Sequence, residues 1–494
     1  MKKYKINNKL LLIFVILLIP LTACNDWLEL TPPDGLVKDE FWKTKEDIEA
    51  VLMGAYQSFA DMDEKLFLFG ELRGDMVITD NNANWYERSI KEGNIYPTNS
   101  MCNWQDFYQV ISYCNQVLKY APIIQDPEID PTFTEIQRQG FEAEAVFLRS
   151  LAYFYLVRIY KDVPLVVETT ESDDADFFLA KSADTTILEF IKKDLEGVKN
   201  LVRDDYGNIE ENKGRASKAA ILSLLADISL WNFDYSEVVS YVNEIQEMGF
   251  LLLPAGAWYE NFYPGNSLSS IFEFQFNSSL DQYNDLYAYT YFNNRRYKAS
   301  PKALDYLSLE GNNAEFYRSR GSIRETDGAI WKYCGSSPDG RSFRPSDELQ
   351  DANWIVYRYA DILLMKAEAL SQLGQFNEAQ QIIDQIRLRM FVNPLTIPQS
   401  EQAFEDAILK ERAIELAYEG KRWFDLLRMG RRNDFNRKND LIQIIIENVP
   451  STQRLVLASK LTDPNGWYLP IQENEIERNS ALEQNPYYEI YMNE

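Results

Sequence analysis

Residues Lys410–Arg432 read KERAIELAYEGKRWFDLLRMGRR, and this pattern sets the architecture. Leu409, Ala413, Leu416, Ala417, Gly420, Phe424 and Leu427 recur at the spacing of one helix face. The opposite face is almost solid charge: Glu411, Arg412, Glu415, Glu419, Lys421, Arg422, Asp425 and Arg428. Pairs three apart, such as Arg412/Glu415, Arg422/Asp425 and Asp425/Arg428, can lace that face. Glycine inside a helix costs roughly 1 kcal/mol relative to alanine. Gly420 therefore marks a place where a backbone, or a ring such as Trp423, packs close. The reading is one long scaffold helix over 403–430.

Working outward, the spacing predicts a helix over 135–160 and helical hairpins over 216–248 and 356–390. The two hairpins repeat at an offset of 141: Leu222/Leu363, Ala226/Ala367, Tyr235/Phe376, Val238/Ala379, Val242/Ile383 and Ile245/Ile386. This is the pattern of tetratricopeptide-like units, each of which buries its apolar face only by stacking on neighbours. The fold class is mainly α, a tetratricopeptide-like helical superhelix with a loop-rich, aromatic-rich insertion at 250–350 and a few short strands. Within the insertion, 258–297 holds thirteen aromatics. Ile271–Phe276 alternates as a short strand with Phe272, Phe274 and Phe276 on one face. Sequence-distant helices sharing a core argue for one domain over 24–494.

The ordered run Glu411, Arg412, Glu415, Leu416, Glu419, Gly420, Arg422, Trp423, Phe424, Asp425, Leu426, Arg428 resembles the signature of the SusD/RagB family, surface lipoproteins that capture nutrients for outer-membrane importers. Lys421 departs, where the family often has histidine. Other stretches are similar to family landmarks: Gly54-Ala55-Tyr56, Trp104 with Asn115, Arg149 through Tyr160, Gly214–Ala220, and the closing Pro470-Ile471…Gln484-Asn485-Pro486. Lys161 stands where glycine is usual, Gln472 replaces a proline and Tyr487 a glycine.

The chain has 494 residues, 46% hydrophobic and 26% charged, with a formal charge of −26. Such an acidic body repels nucleic acid, and no nucleic-acid partner is expected. With no histidine and no CxxC, the usual zinc sites and Ser-His-Asp or Cys-His catalysis are excluded. No phosphate loop, nucleophile elbow or EF-hand loop occurs; the acidic run Glu171, Asp173, Asp174, Asp176 lacks that loop's glycine and spacing. No metal and no cofactor are expected. Were Cys102 and Cys114 on one helix, they would stand ~18 Å apart, too far to bridge.

Residues 1–23 read as a signal peptide: Lys2, Lys3, Lys5 and Lys9 precede an apolar run from Leu10 to Leu21. That run is about a dozen residues, whereas roughly 20 span a bilayer. Leu21-Thr22-Ala23-Cys24 resembles a bacterial lipobox, which makes Cys24 the lipidation site. Trp27–Pro33 follows as an extended tether.

Residues 70–100 lose periodicity and mix polar groups with rings. The expected ligand site is loop 73–86, with Arg73, Asp75, Asn84, Trp85 and Tyr86, facing Tyr283, Tyr287, Tyr289 and Trp331. Rings stack on the flat C–H faces of sugars while Arg, Asp and Asn bond the hydroxyls. The resemblance implies a glycan-binding protein, not an enzyme. It would be lipid-anchored in the outer membrane, face the cell exterior and deliver oligosaccharide or polysaccharide to a SusC-like TonB-dependent transporter. Peptide binding on the same scaffold stays open. So does a glycoside hydrolase, since paired carboxylates need no histidine.

Overall fold

The computed structural model describes residues 41–169, 178–291, 294–308, 316–344 and 351–492. Cys24, the Trp27–Pro33 tether and the acidic run at 171–176 lie outside the described residues. The frame is built from α1 (Lys45–Ala60), α2 (Gln105–Ile124), α3 (Glu135–Tyr160), α4 (Asp184–Val198), α5 (Lys218–Trp231), α6 (Tyr235–Gln246), α7 (Tyr359–Gln372), α8 (Phe376–Leu388), α9 (Glu401–Glu415) and α10 (Arg422–Phe435).

These helices pack in antiparallel succession, α1 on α2, α2 on α3, α3 on α4, then α5 on α6 and α7 on α8, with α6 seated on α7. The repeat is carried down to its ends: α5 and α7 begin and end 141 residues apart, and Tyr235 and Phe376 each open the second helix of their hairpin. Residues at these helix crossings are small or fully enclosed; Ala226, Ala367, Val242 and Ile383 are all buried. Helix α3 starts at a Thr134/Gln137 capping box, which satisfies free N–H groups of its first turn. From Ala143 to Tyr160 every residue of it is buried. It stops at Lys161, whose φ of 73° no helix tolerates. The position where the resemblance implies glycine is thus one where the backbone turns left-handed.

Polar anchors tie helices of distant sequence together. Glu144 on α3 accepts from Tyr56 on α1 at 2.8 Å and from Arg215 before α5 at 2.8 and 2.9 Å. Asn115 and Arg149 join α2 to α3 at 2.7 Å. Cys102 precedes α2 while Cys114 lies within it, and both, with Cys334, are free and buried.

The expected single helix over 403–430 is two helices. The chain leaves α9 at Leu416, passes through left-handed backbone at Tyr418 (φ 67°) and Gly420 (φ 72°), and re-enters α10 at Arg422. A Cβ on Gly420 would sit 2.7 Å from the Trp354 ring and 3.3 Å from the Leu66 carbonyl oxygen. The ring against Gly420 is Trp354, and Trp423 packs instead under the Arg73 guanidinium at 4.3 Å.

The charged stripe is buried as well, and of the three expected lacing pairs the Asp425/Arg428 pair forms within it. Arg412 binds Asp425 and Asp361, both at 2.8 Å, and Arg428 binds Glu368 at 2.7 Å and Asp425 at 3.0 Å. Glu415 receives Arg358 at 2.8 Å, Arg318 at 3.1 Å and Trp258 Nε1 at 3.2 Å, with Arg389 also in contact. Glu419 binds Lys332 at 2.6 Å and Arg358 at 2.7 Å. Arg412 and Glu415, three apart on α9, take different partners: Arg412 pairs across the break with Asp425, and Glu415 with arginines of other segments. Burial opposes ionisation of Glu415, yet Arg389, Arg358 and Arg318 hold its carboxyl well below the usual range. This network fastens the loop-rich segment to the frame.

Three antiparallel two-stranded ribbons complete the fold: β1 (Val77–Thr79) with β3 (Tyr297–Ala299), β2 (Ser270–Phe274) with β6 (Trp354–Arg358), and β4 (Ile323–Arg324) with β5 (Ala329–Ile330). In β2, Phe272 and Phe274 are buried and meet Phe147 and Phe59 respectively, at ring distances of 5.0 and 4.8 Å.

Candidate functional site

The β1–β3 ribbon joins the two stretches that sequence singled out. Its register pairs Val77 with Ala299 and Thr79 with Tyr297, and the Asp80 N–H continues to the Arg296 carbonyl at 2.6 Å. After the turn, Asn84 caps a short helix, Trp85–Lys91. Its side-chain oxygen accepts the Glu87 N–H at 3.0 Å, and the Glu87 carboxylate accepts the Asn84 N–H at 2.5 Å. This reciprocal cap turns Trp85 outward, 52% exposed, with the Tyr86 ring 4.2 Å away.

On the partner strand, Arg296 lies over the Tyr289 ring at 4.0 Å and its guanidinium reaches Glu87 at 3.1 Å and Glu64 at 3.3 Å. The Tyr297 hydroxyl donates to the same two carboxylates, at 2.9 and 3.3 Å. Burial pushes Glu64 up to about 7, with Arg296 opposing and Glu87 reinforcing. The two carboxylates converge on one guanidinium nitrogen and one hydroxyl. Next to them runs an ion ladder: Lys298 to Asp80 at 3.0 Å, Asp80 to Arg295 at 2.6 Å, Arg295 to Asp327 at 3.0 Å, and Asp327 to Arg324 at 2.7 Å. Burial works against ionised Asp80, but hydrogen bonds from Lys298 and Arg295 hold its pKa below the ordinary value. Among the described residues, no three Cys, Asp or Glu side chains group as a metal site requires.

The structure divides the residues expected to contact ligand. Trp85, Tyr86 and Tyr289 stand on the ribbon face with side chains exposed or half-buried. Asn84 serves as a helix cap. Arg73 is enclosed, donating to the Trp467 and Gly466 carbonyls, and Asp75 is fully buried against Arg422 at 2.6 Å. Trp331 and Tyr287 lie in a satellite core with Trp258, Tyr259 and Phe262. They connect through rings, Tyr287 on Tyr291, Tyr291 on Phe343 and Phe343 on Trp331, each at 5.0 Å. As they stand, Arg73, Asp75, Trp331 and Tyr287 are buried, with little surface to offer a ligand. Tyr283 is exposed but turned to Asp281 at 2.8 Å. It lies beside Gln282, which lines a separate cavity of about 620 Å³ between α1 and the Ile209–Gly214 helix. Loop 73–86 is therefore strand, turn and helix, and residue type there did not report burial. Sequence reading passed over Asp80, Arg295, Arg296, Arg324 and Asp327. The adjacent Arg295-Arg296 pair closing the aromatic segment of so acidic a chain was the available signal.

Comparison with known proteins bears on this geometry. SusD-like protein P38 of Formosa agariphila is 30% identical over 495 residues, covering 87% of this chain and 93% of the relative. The chain belongs to the SusD/RagB family. A family model described as "SusD family" matches residues 286–488, and one described as "Starch-binding associating with outer membrane" matches 26–230. In this SusD-family member the candidate face straddles both matches, Trp85 and Tyr86 from the first part and Tyr289 to Arg324 from the second. Its fold agrees with a solved SusD superfamily protein from Bacteroides vulgatus, at TM-score 0.73 and 20% identity over 90% of this chain and 100% of that one. A solved "Laminarin binding SusD-like protein" shares 22% identity at TM-score 0.71, over 90% of this chain and all of the other. Among the described residues, no helix of this SusD-family chain is long and apolar enough to cross a membrane.

Proposed function

We propose that this protein is a surface glycan-binding lipoprotein. It captures oligosaccharide through the Trp85 face and delivers it to a SusC-like TonB-dependent importer, anchored in the outer membrane by a lipid on Cys24. The observation that carries this reading is Trp85, a large apolar ring held more than half in solvent by a helix whose cap and buried residues are fully engaged. A fixed, exposed ring beside a second ring and a row of guanidiniums suits a ligand with flat C–H faces and a hydroxyl rim. The laminarin-binding relative supports the ligand class. The Leu10–Leu21 run before Cys24 supports the anchor.

The test is affinity electrophoresis of the soluble part against laminarin, other polysaccharides and peptide pools. Retardation by a glycan, lost in Trp85→Ala, is the expected result. Retention by peptides alone moves the protein to the peptide-binding class, and release of reducing ends from a bound polysaccharide moves it to the hydrolases. Cys24→Ala should shift the full-length chain from membrane to soluble fractions.

A further inference from the structure

The ion ladder ends at Arg324, and beyond it opens a cavity of about 670 Å³. Its walls are Arg320, Ile323, Arg324, Glu325 and Thr326 on one side and Pro338 to Arg341 on the other. Six arginines elsewhere, Arg318, Arg358, Arg387, Arg412, Arg422 and Arg428, are each buried on carboxylates. Arg320 and Arg341 differ. Both are exposed, and among the described residues neither has a carboxylate partner; Arg320 lies only over the Phe316 ring, at 4.3 Å. Arg324 is braced by Asp327 and by the Trp331 and Phe343 rings beneath it, at 5.6 and 5.5 Å.

The acids that share the cavity are turned to local donors. Asp339 accepts the N–H groups of Arg341 and Ser342 and the Ser342 hydroxyl, and Glu325 accepts from Ser319 at 3.4 Å. Arg320 and Arg341 thus bring to one recess, in a chain of formal charge −26, two guanidiniums that no carboxylate among the described residues holds, beside Arg324 already paired with Asp327. Guanidinium groups bind sulfate and carboxylate oxygens in matched two-point geometry.

We infer that this recess, lined by Arg320, Arg324 and Arg341, is a subsite for an anionic substituent of the glycan, a sulfate ester or a uronate carboxylate. The inference rests on the glycan-binding reading and narrows its ligand to acidic polysaccharides. Ile323 and Pro338 give the sugar ring an apolar wall while the guanidiniums take its charge.

The test compares four probes: a sulfated polysaccharide, its chemically desulfated form, a polyuronate, and its carboxyl-reduced form. Each is titrated into the wild type and into Arg320→Gln/Arg341→Gln. Both sites are exposed, so an unchanged melting temperature should certify the fold. At least one acidic probe should bind about tenfold or more tighter than its neutralised form. That advantage should vanish in the double variant and fade at about 1 M salt, where the Debye length is about 3 Å. Which acidic probe gains tells sulfate from carboxylate. Equal affinity for acidic and neutralised forms, or an advantage that survives the double variant, overturns the subsite while the glycan-binding reading stands. Failure of all four probes to bind, with laminarin and the other polysaccharides also inert, overturns both.

Discussion

Gly70 and Gly420 meet backbone to backbone: a Cβ on Gly70 would lie 2.0 Å from the Gly420 carbonyl oxygen. Gly70 sits in the π-helical turn Leu68–Leu72, and the Lys421 N–H donates to Glu71 of that same turn at 3.1 Å. The α9–α10 break is therefore the seat into which the first third of the chain locks. Gly420→Ala has to hold a left-handed backbone and displace Trp354 as well. It should cost roughly 3 kcal/mol or more, read as a lower denaturation midpoint. Gly70→Ala should be at least as severe.

Glu415 faces Arg318, Arg358 and Arg389 together. Glu415→Gln keeps its shape and removes the carboxylate paired with Arg389, while Arg318 keeps Glu411 and Arg358 keeps Glu419, so the cluster of three buried guanidiniums is one counter-charge short. Losing one partner of a buried pair costs ~3–5 kcal/mol, and urea denaturation of the variant should show a loss in that range. The exposed Glu135, paired with Arg138 in α3, should leave the urea midpoint unchanged when made Gln.

Stability should peak in mildly acidic solution. Burial raises Glu71 to about 8 and Asp63 to about 7. Between the unfolded and folded values the native state holds protons that the unfolded chain lacks, so lowering pH from about 8 to about 5 favours folding. Asp361 runs the other way. Burial opposes its ionisation, but Lys421 and Arg412 bring it down to about 2. Glu415, Glu419 and Asp425 are likewise depressed. Their contribution is present above about pH 4 and is lost as pH falls through the folded values. Melting temperature against pH should rise from pH 8 to about 5 and drop below about 4; a monotonic fall from pH 8 would contradict this assignment.

Two tryptophans should separate frame from face. Trp423 is 2% exposed beneath Arg73, and Trp423→Ala should cost ~3–5 kcal/mol as a core cavity. Trp85 touches solvent over half its surface, and Trp85→Ala should stay within about 0.5 kcal/mol in stability. Its loss should register in glycan affinity. A destabilised Trp85→Ala with a stable Trp423→Ala would reverse the two roles.

The frame was legible because helical repeats report themselves locally. The helix over 135–160 has the bounds its periodicity indicates, and the 141-residue offset reappears in the helix ends. What periodicity could not convey was which partner awaits a polar face. Glu411, Glu415 and Glu419 look solvent-bound in sequence, and only the arrival of Arg318, Lys332, Arg358 and Arg387 from other segments buries them. Arg73, Asp75 and Trp331 misled for the same reason. Their residue types suit a binding loop, but Gly466, Arg422 and Ser337, remote or local, claim their polar atoms. Trp85 and Tyr289 keep solvent access because ring-rich stretches that converge on one ribbon leave some rings outside.

The clasp between chain ends has a consequence for biosynthesis. Arg73 finds its carbonyl acceptors 393 and 394 residues later, and Asp75 finds Arg422 after 347. While the chain emerges from the ribosome or threads through a translocon, those buried groups have no partners until nearly all of it has arrived. Early helical hairpins can form as they appear, yet the clasp of Arg73 and Asp75 closes last. A chain truncated before Gly466 leaves the Arg73 guanidinium without its acceptors and becomes a substrate for quality-control proteases, whatever the integrity of its repeats.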